Sequence, residues 1–186
     1  TVTESLNYAQ VLIARDPETA NEVSIASATA GTANTSCTIS SKRAYCAVPA
    51  SQDDANTTVY ADGYAPTSVA LYNRSLDTDA QAMTYLTLNY AYIATVKDED
   101  GNYVTNATVE MGDSSYDVDC DYISNGQYGC VVPTSDDLGQ IRITGSDFDT
   151  MTTAFSAPRD SNSDSQVSQT FTIGDEDCGS SCSGSD

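Results

Sequence analysis

The stretch "QYGCVVPTSDD" (127–137) is a close copy of "RAYCAVPASQDD" (43–54). Each carries an aromatic residue, a cysteine, a Val-Pro pair, a small hydroxyl residue and two consecutive aspartates. Working outward, "SLNYAQVLIARD" (5–16) matches "TLNYAYIATVKD" (87–98), and "NEVSIASAT" (21–29) is followed at the same spacing by "NYVTNATVE" (102–110). "TTVYADGY" (57–64) answers "IRITGSDF" (141–148), and "TYLTL" (84–88) answers "QTFTI" (169–173). Order is kept throughout and the offsets drift only from 81 to 85 positions. The chain is a tandem duplication.

Each copy consists of short alternating segments rich in Val, Ile, Thr and Tyr, punctuated by Gly, Pro, Asn and Asp. That pattern predicts antiparallel β-sandwiches, because a strand alternates its faces with period two while a helix does not. The expected class is all-β: two tandem antiparallel immunoglobulin-like sandwiches. The first is expected over 1–88 and the second over 89–173, followed by an acidic Ser/Gly tail over 174–186. "LDTDAQAM" (76–83) is expected to form a turn leading into the last strand of the first copy.

"VKDEDGNYVTNATVEM" (96–111), the strand "GQYGCVVP" (126–133) and "IRITGSDFDT" (141–150) together resemble the carboxypeptidase regulatory-like, transthyretin-like seven-stranded sandwich. In that family an acidic turn with Gly precedes a V-x-N-A-x-V strand. The first copy has Pro17 and Ala20 at the corresponding turn. The resemblance implies a non-catalytic structural or accessory module of a surface protein.

Six cysteines allow 15 pairings, and the duplication selects one. A hairpin over 117–133 with the loop Ser124-Asn125-Gly126 sets Tyr122 opposite Tyr128, Cys120 opposite Cys130 and Val118 opposite Val132. A four-residue loop over 40–43 similarly sets Ile39 opposite Ala44, Cys37 opposite Cys46 and Thr35 opposite Val48. The expected bridges are therefore Cys37–Cys46 and Cys120–Cys130, with Cys178 and Cys182 left to pair in the tail.

The 27 acidic residues outnumber 7 basic ones, for a net charge of −20. Nucleic-acid binding is excluded as a function class, since phosphate contacts need clustered Lys and Arg. No apolar run reaches the ~18–20 residues that span a bilayer. The sequence opens without a signal peptide, so Thr1 is expected to lie at a processed end. An even cysteine count with abundant Ser, Thr and Tyr places the chain in an oxidising compartment, at the cell surface or outside it.

The chain contains no histidine, and neither G-x-S-x-G nor Ser-x-x-Lys occurs. An enzyme is not expected, and no cofactor is required. Calcium is the one metal the carboxylates could serve. Asp117, Asp119 and Asp121 share a strand parity with Asp113 nearby, while "DEDGN" (98–102) and "DSNSDS" (160–165) resemble pieces of calcium loops lacking the closing Glu. The preferred reading of these residues is a solvated acidic face. The sequons at Asn34, Asn56, Asn73 and Asn106 are candidate glycosylation sites.

"MTYLTLNYAYIATV" (83–96) joins the copies without a Gly-, Pro- or Ser-rich tether. Residues 1–6, "TVTESL", stand where "MTYLTL" stands before the second copy. This organisation predicts a subunit of a surface filament that assembles with itself head to tail, residues 1–6 acting as an inter-subunit strand. Val2, Leu6 and Tyr8 at one end and Phe171 and Ile173 at the other are the candidate contact residues. The alternative is a carbohydrate-binding or adhesion module in which some of the 12 tyrosines stack on sugar.

Overall fold

The computed structural model describes residues 7–49, 56–70, 82–113 and 115–174. The chain divides into two compact units, Thr1–Tyr90 with Ser161–Ser165, and Ala91–Asp160 with Gln166–Asp186. Both are built almost wholly of strands.

The first unit contains β1 (Asn7–Arg15), β2 (Glu22–Val23), β3 (Ser27–Ala30), β4 (Thr35–Ser36), β5 (Thr38–Ser40), β6 (Arg43–Pro49), β7 (Asn56–Tyr60), β8 (Tyr64–Ala65), β9 (Thr67–Ala70), β10 (Ala82–Thr87) and β11 (Asn89–Tyr90). Its two larger sheets have the orders β10-β1-β6-β5, with β2 also on β1, and β4-β3-β7-β9, and β11 pairs with β8 in a short third sheet. The second unit contains β12 (Tyr92–Lys97), β13 (Thr108–Gly112), β14 (Val118–Asp119), β15 (Asp121–Ser124), β16 (Gln127–Cys130), β17 (Gln140–Gly145), β18 (Phe148–Ala154) and β19 (Val167–Thr172). Its sheets run β15-β16-β12-β19 and β14-β13-β17-β18. Both orders match the first unit's two four-stranded paths, while β2 and the β8–β11 pair have no named counterpart strand in the second unit.

Pairing is antiparallel in both units except where the first and last long strands meet. β1 pairs parallel to β10, with Ile13 beside Tyr85, and β12 pairs parallel to β19, with Thr95 beside Thr170. The expected antiparallel sandwiches are present, with one parallel pair added in each. Counted as one run interrupted at Cys120, β14 and β15 give the second unit seven alternating strands, so its first and last point the same way and pair in parallel where one sheet brings them together.

The expected hairpins also change. β4 and β5 lie in different sheets, as do β14 and β15, so the chain crosses between sheets at Cys37 and at Cys120. Thr35 consequently pairs with Ala30 and Val118 with Met111, rather than facing Val48 and Val132. The loops are shorter than expected. Ser40 pairs with Arg43 across Ser41-Lys42, and Ser124 pairs with Gln127 across Asn125-Gly126. All four turn residues have φ between +48° and +69°, the two-residue turn whose twist matches that of the strands. A register shift between Tyr122 and Ser124 takes up the extra residue, so that Tyr122 still faces Tyr128.

The second unit's core fills the space between its sheets. Tyr92, Ala94, Val96, Tyr128, Cys130 and Phe171 come from one sheet, and Val109, Met111, Ile141 and Ile143 from the other. Tyr92 packs on Phe155 with ring centroids 4.7 Å apart, and Phe155 meets Phe171 edge-on at 5.1 Å. The Tyr92 hydroxyl donates to Asp137 at 2.5 Å and accepts the Arg159 N–H at 2.7 Å, which satisfies the polar end of a fully buried ring. In the first unit the corresponding position on β1 is Gln10. Its amide donates to Thr84 at 2.9 Å and accepts from Thr57 at 3.2 Å, tying β10 and β1 to β7 of the facing sheet.

Candidate functional site

Three features of the scaffold position the candidate residues: the sheet-crossing corners, the acidic turns and the outer face of the β10-β1-β6 sheet.

At the corners, the Cys37 N–H donates to the Ala28 carbonyl at 2.8 Å and the Cys120 N–H to the Val109 carbonyl at 2.9 Å. The side chains turn the other way, bonding Cys37 to Cys46 and Cys120 to Cys130, with Cα atoms 4.5 and 4.4 Å apart. Each bridge thus locks the residue that leaves one sheet to a strand of the other. Closing loops of about ten residues contributes roughly 2.5–3 kcal/mol apiece in the chain-entropy model. Cys178 and Cys182 lie outside the described residues.

The turns after β1 and β12 are built alike around Asp16 and Asp98. The Asp16 N–H donates to the Asn21 carbonyl at 2.9 Å, and the Asp98 N–H to the Asn102 carbonyl at 3.0 Å. Burial works against the Asp16 charge. The Thr19 N–H at 2.7 Å and the Tyr64 hydroxyl at 2.7 Å, helped by the Thr19 hydroxyl and the Glu18 N–H, outweigh it and hold the carboxyl below its ordinary pKa. Asp98 is held low chiefly by the Asn102 side-chain amide, with the Asn102 N–H at 2.7 Å adding to it. In "DEDGN" the Asp98 carboxylate therefore closes its own turn. Asp113 does the same, accepting the Ser115 N–H and hydroxyl, both at 2.9 Å.

The proposed calcium residues are separated by the crossing at Cys120. Asp119 stands on β14 opposite Glu110, while Asp121 stands on β15 opposite Gly129, and Asp117 is exposed ahead of β14. They do not line one face of one strand. Among the described residues no group of three or more acidic or cysteine side chains has the arrangement to hold a metal ion. Of the sequons, Asn34, Asn56 and Asn106 are exposed, Asn34 with φ +50°. Asn73 lies outside the described residues.

Of the candidate assembly residues, Val2 and Leu6 also lie outside them. The backbone of Tyr8 is paired with Val48. Phe171 and Ile173 are buried in the core of their own unit, so their side chains are taken up there and do not face a neighbour.

The outer face of the first unit's sheet is a feature that the motifs did not single out. Met83 and Tyr85 on β10 are 53% and 54% exposed, beside Val11 and Ile13 of β1. Tyr45 of β6 flanks Val11 on the other side. The Arg15 guanidinium lies 4.2 Å from the centre of the Tyr85 ring, and Arg43 pairs with Glu22 at 3.2 Å. Glu22 is held below its ordinary pKa by the Arg43 hydrogen bond, with Lys42 and Arg15 adding to the attraction. Three of the chain's seven basic residues thus gather around one carboxylate. The only sequence signal for this face comes from comparing the copies position by position, because strand pairing aligns Ile13, Met83, Tyr85 and Tyr45 with Thr95, Ser168, Thr170 and Gly129.

No protein-family model matches the sequence, and no curated protein matches it. Among solved structures, the chain is similar to the shaft pilin SpaA from Lactobacillus rhamnosus GG, at 11% identity and a TM-score of 0.30, over 91% of this chain and 97% of that one. It is similar also to a streptococcal ancillary pilin, at 7% identity and a TM-score of 0.32, over 90% of this chain and 68% of that one. For the TIE protein of Bacillus anthracis the identity is 13% and the TM-score 0.31, over 91% of this chain and 34% of that one. The sandwich described above rests on its own strand pairing. Among the described residues no helix is long and apolar enough to cross a membrane.

Proposed function

We propose that this chain is a non-enzymatic extracellular structural protein, the subunit of a cell-surface filament that assembles head to tail. The observation that carries the proposal is the repetition of one sandwich, with the same two four-stranded sheet orders, along a single chain. β10 ends at Thr87 and β12 begins at Tyr92; of the four residues between, Asn89 and Tyr90 are themselves paired with β8. A chain built of equivalent modules without a loose tether suits a load-bearing or spacing role. Disulfides at both sheet crossings suit an oxidising exterior. A heterologous contact between like modules does not close on itself, so it propagates as a fibre. The transthyretin-like affiliation of the two modules belongs to the same proposal, supported by the acidic Gly turn at Asp98–Asn102 and the seven-stranded plan.

Residues 1–6 are proposed as the inter-subunit strand. Deleting them from the full chain is expected to leave circular dichroism and thermal unfolding unchanged while abolishing polymer in negative-stain images. Polymers of unchanged diameter and repeat would remove these residues from the contact. A monomer that retains an oligosaccharide would favour the carbohydrate-binding alternative instead.

A further inference from the structure

The duplication supplies an internal control for surface residues. Where two copies share a fold, a position that differs in kind between them is not dictated by the fold. On the inner faces both units keep apolar or hydrogen-bonded residues. On the outer face of the β10-β1-β6 sheet they diverge. The first unit presents Met83, Tyr85 and Tyr45 around Val11 and Ile13, and the second presents Ser168, Thr170 and Gly129 around Ile93 and Thr95. At the paired positions beside Ile93 and Thr95 the second unit holds together with small or polar residues, and its own exposed aromatic, Tyr103, stands at the strand end beside Lys97. In the first unit the large side chains lie beside Val11 and Ile13, which are buried, and Met83 and Tyr85 still leave about half of their own surface open to a partner, at 53% and 54% exposed.

Their chemistry specifies what kind. Tyr, Met and Arg are the residue types enriched at protein contact surfaces, since they bring large apolar area with a polar or charged tip. Arg15, Lys42 and Arg43 around the single carboxylate of Glu22 give the rim a local net charge of +2, counting three bases against one acid. The rest of the chain is strongly acidic, and unevenly so. Residues 1–89 carry 9 acidic and 4 basic residues (−5), and residues 90–186 carry 18 and 3 (−15). Glu99, Asp100, Asp113, Asp117, Asp119, Asp147 and Asp149 are all exposed on the second unit.

We infer that the outer face of the first unit's sheet, centred on Met83 and Tyr85 and rimmed by Arg15, Lys42 and Arg43, docks the acidic second unit of another copy of this chain. The contact joins unlike surfaces, so each copy offers one of each and the chain of contacts stays open. This inference rests on the filament reading and names one of its surfaces. Exposed aromatic rings supply the buried area, while the basic rim opposes docking of first unit on first unit and admits the acidic one.

The test uses the full chain in two variants. M83S/Y85T gives the first unit the residues that the second already carries, and Arg15→Glu reverses the rim charge that lies over the Tyr85 ring while keeping the ring itself. Assembly is followed by sedimentation and negative-stain microscopy, and folding by circular dichroism and thermal unfolding. Loss of a central contact of this kind is expected to raise the concentration needed for assembly by about tenfold or more. Arg15→Glu is expected to act in the same direction, with the difference from wild type shrinking as salt is added. Wild-type polymers together with variants that polymerise equally well would overturn the inference and leave the filament reading standing. A double variant that unfolds at much lower temperature yet still assembles would assign the face to the chain's own packing and would also overturn it. A wild-type chain that stays monomeric at every concentration would overturn both readings.

Discussion

Ala20 and Gly101 occupy the same backbone position in the two units, the left-handed residue of the turn that follows the first strand, at φ +57° and +85°. Gly accepts this conformation freely, whereas a Cβ there crowds the following carbonyl. A Cβ built on Gly101 would meet nothing within 4 Å, so the cost of a side chain at that position is conformational alone. Ala20→Gly is expected to stabilise the first unit by about 0.5–1 kcal/mol, and Gly101→Ala to destabilise the second by a similar amount. Thermal or urea unfolding of the two single variants checks both signs. Equal and opposite shifts are the expected result.

Tyr92 is expected to be the costliest single hydroxyl in the second unit. Its OH donates to Asp137 and accepts the Arg159 N–H inside the protein. Tyr92→Phe keeps the ring on Phe155 but removes both hydrogen bonds, at a cost of about 1–3 kcal/mol. Denaturant unfolding of the variant measures it. A loss below a few tenths of a kcal/mol would show that water replaces the hydroxyl at no cost.

Acid should destabilise the fold through its turn carboxylates. Asp16, Asp98 and Asp113 have folded-state pKa values below their ordinary ones. The unfolded chain therefore binds protons first as the pH falls. The stability these groups confer is complete above the ordinary Asp pKa of about 3.9 and is lost as pH drops through the lowered folded values. The melting temperature is expected to hold level at neutral pH and to fall in acid. Asp16→Asn should give a shallower acid decline than wild type, since the amide can still accept at Oδ1 but does not titrate.

The bridges Cys37–Cys46 and Cys120–Cys130 should be recovered by peptide mapping under non-reducing conditions, along with Cys178–Cys182 in the tail. Reduction of either bridge is expected to cost its unit roughly 2.5–3 kcal/mol. Because each bridge closes a separate loop within one unit, the two losses should add when both are cut. A bridge between the units would contradict the equivalence of Cys37 with Cys120.

Much of this was legible in the sequence because duplication doubles every signal. The alternation in "NATVEMG" and "QIRITG" specifies β13 and β17, and the paired cysteine spacings specify which strands lie side by side. Parity arguments failed where a strand leaves its sheet. Counting by twos from Tyr122 to Val118 passes through Cys120, where the chain changes sheets, and the face assignment is lost there. For the same reason Asp119 and Asp121 looked like neighbours on one face when they belong to two sheets. Gln10 was hidden for a different reason. A polar residue at a strand position reads as outward, and only its partners Thr57 and Thr84 make it an inward one. The Met83–Tyr85 face was invisible to motif reading, because shared motifs record what two copies have in common and this face is where they differ.

The central claim is that the molecule is a module of an open polymer, and the most direct measurement is the state of the purified full-length chain. Sedimentation velocity across a concentration series, with negative-stain microscopy of the same samples, is expected to show unbranched filaments above a threshold concentration. They should have one diameter and an axial repeat set by one copy of the chain. A single sharp monomer boundary at every concentration, with no filaments on the grid, would contradict it.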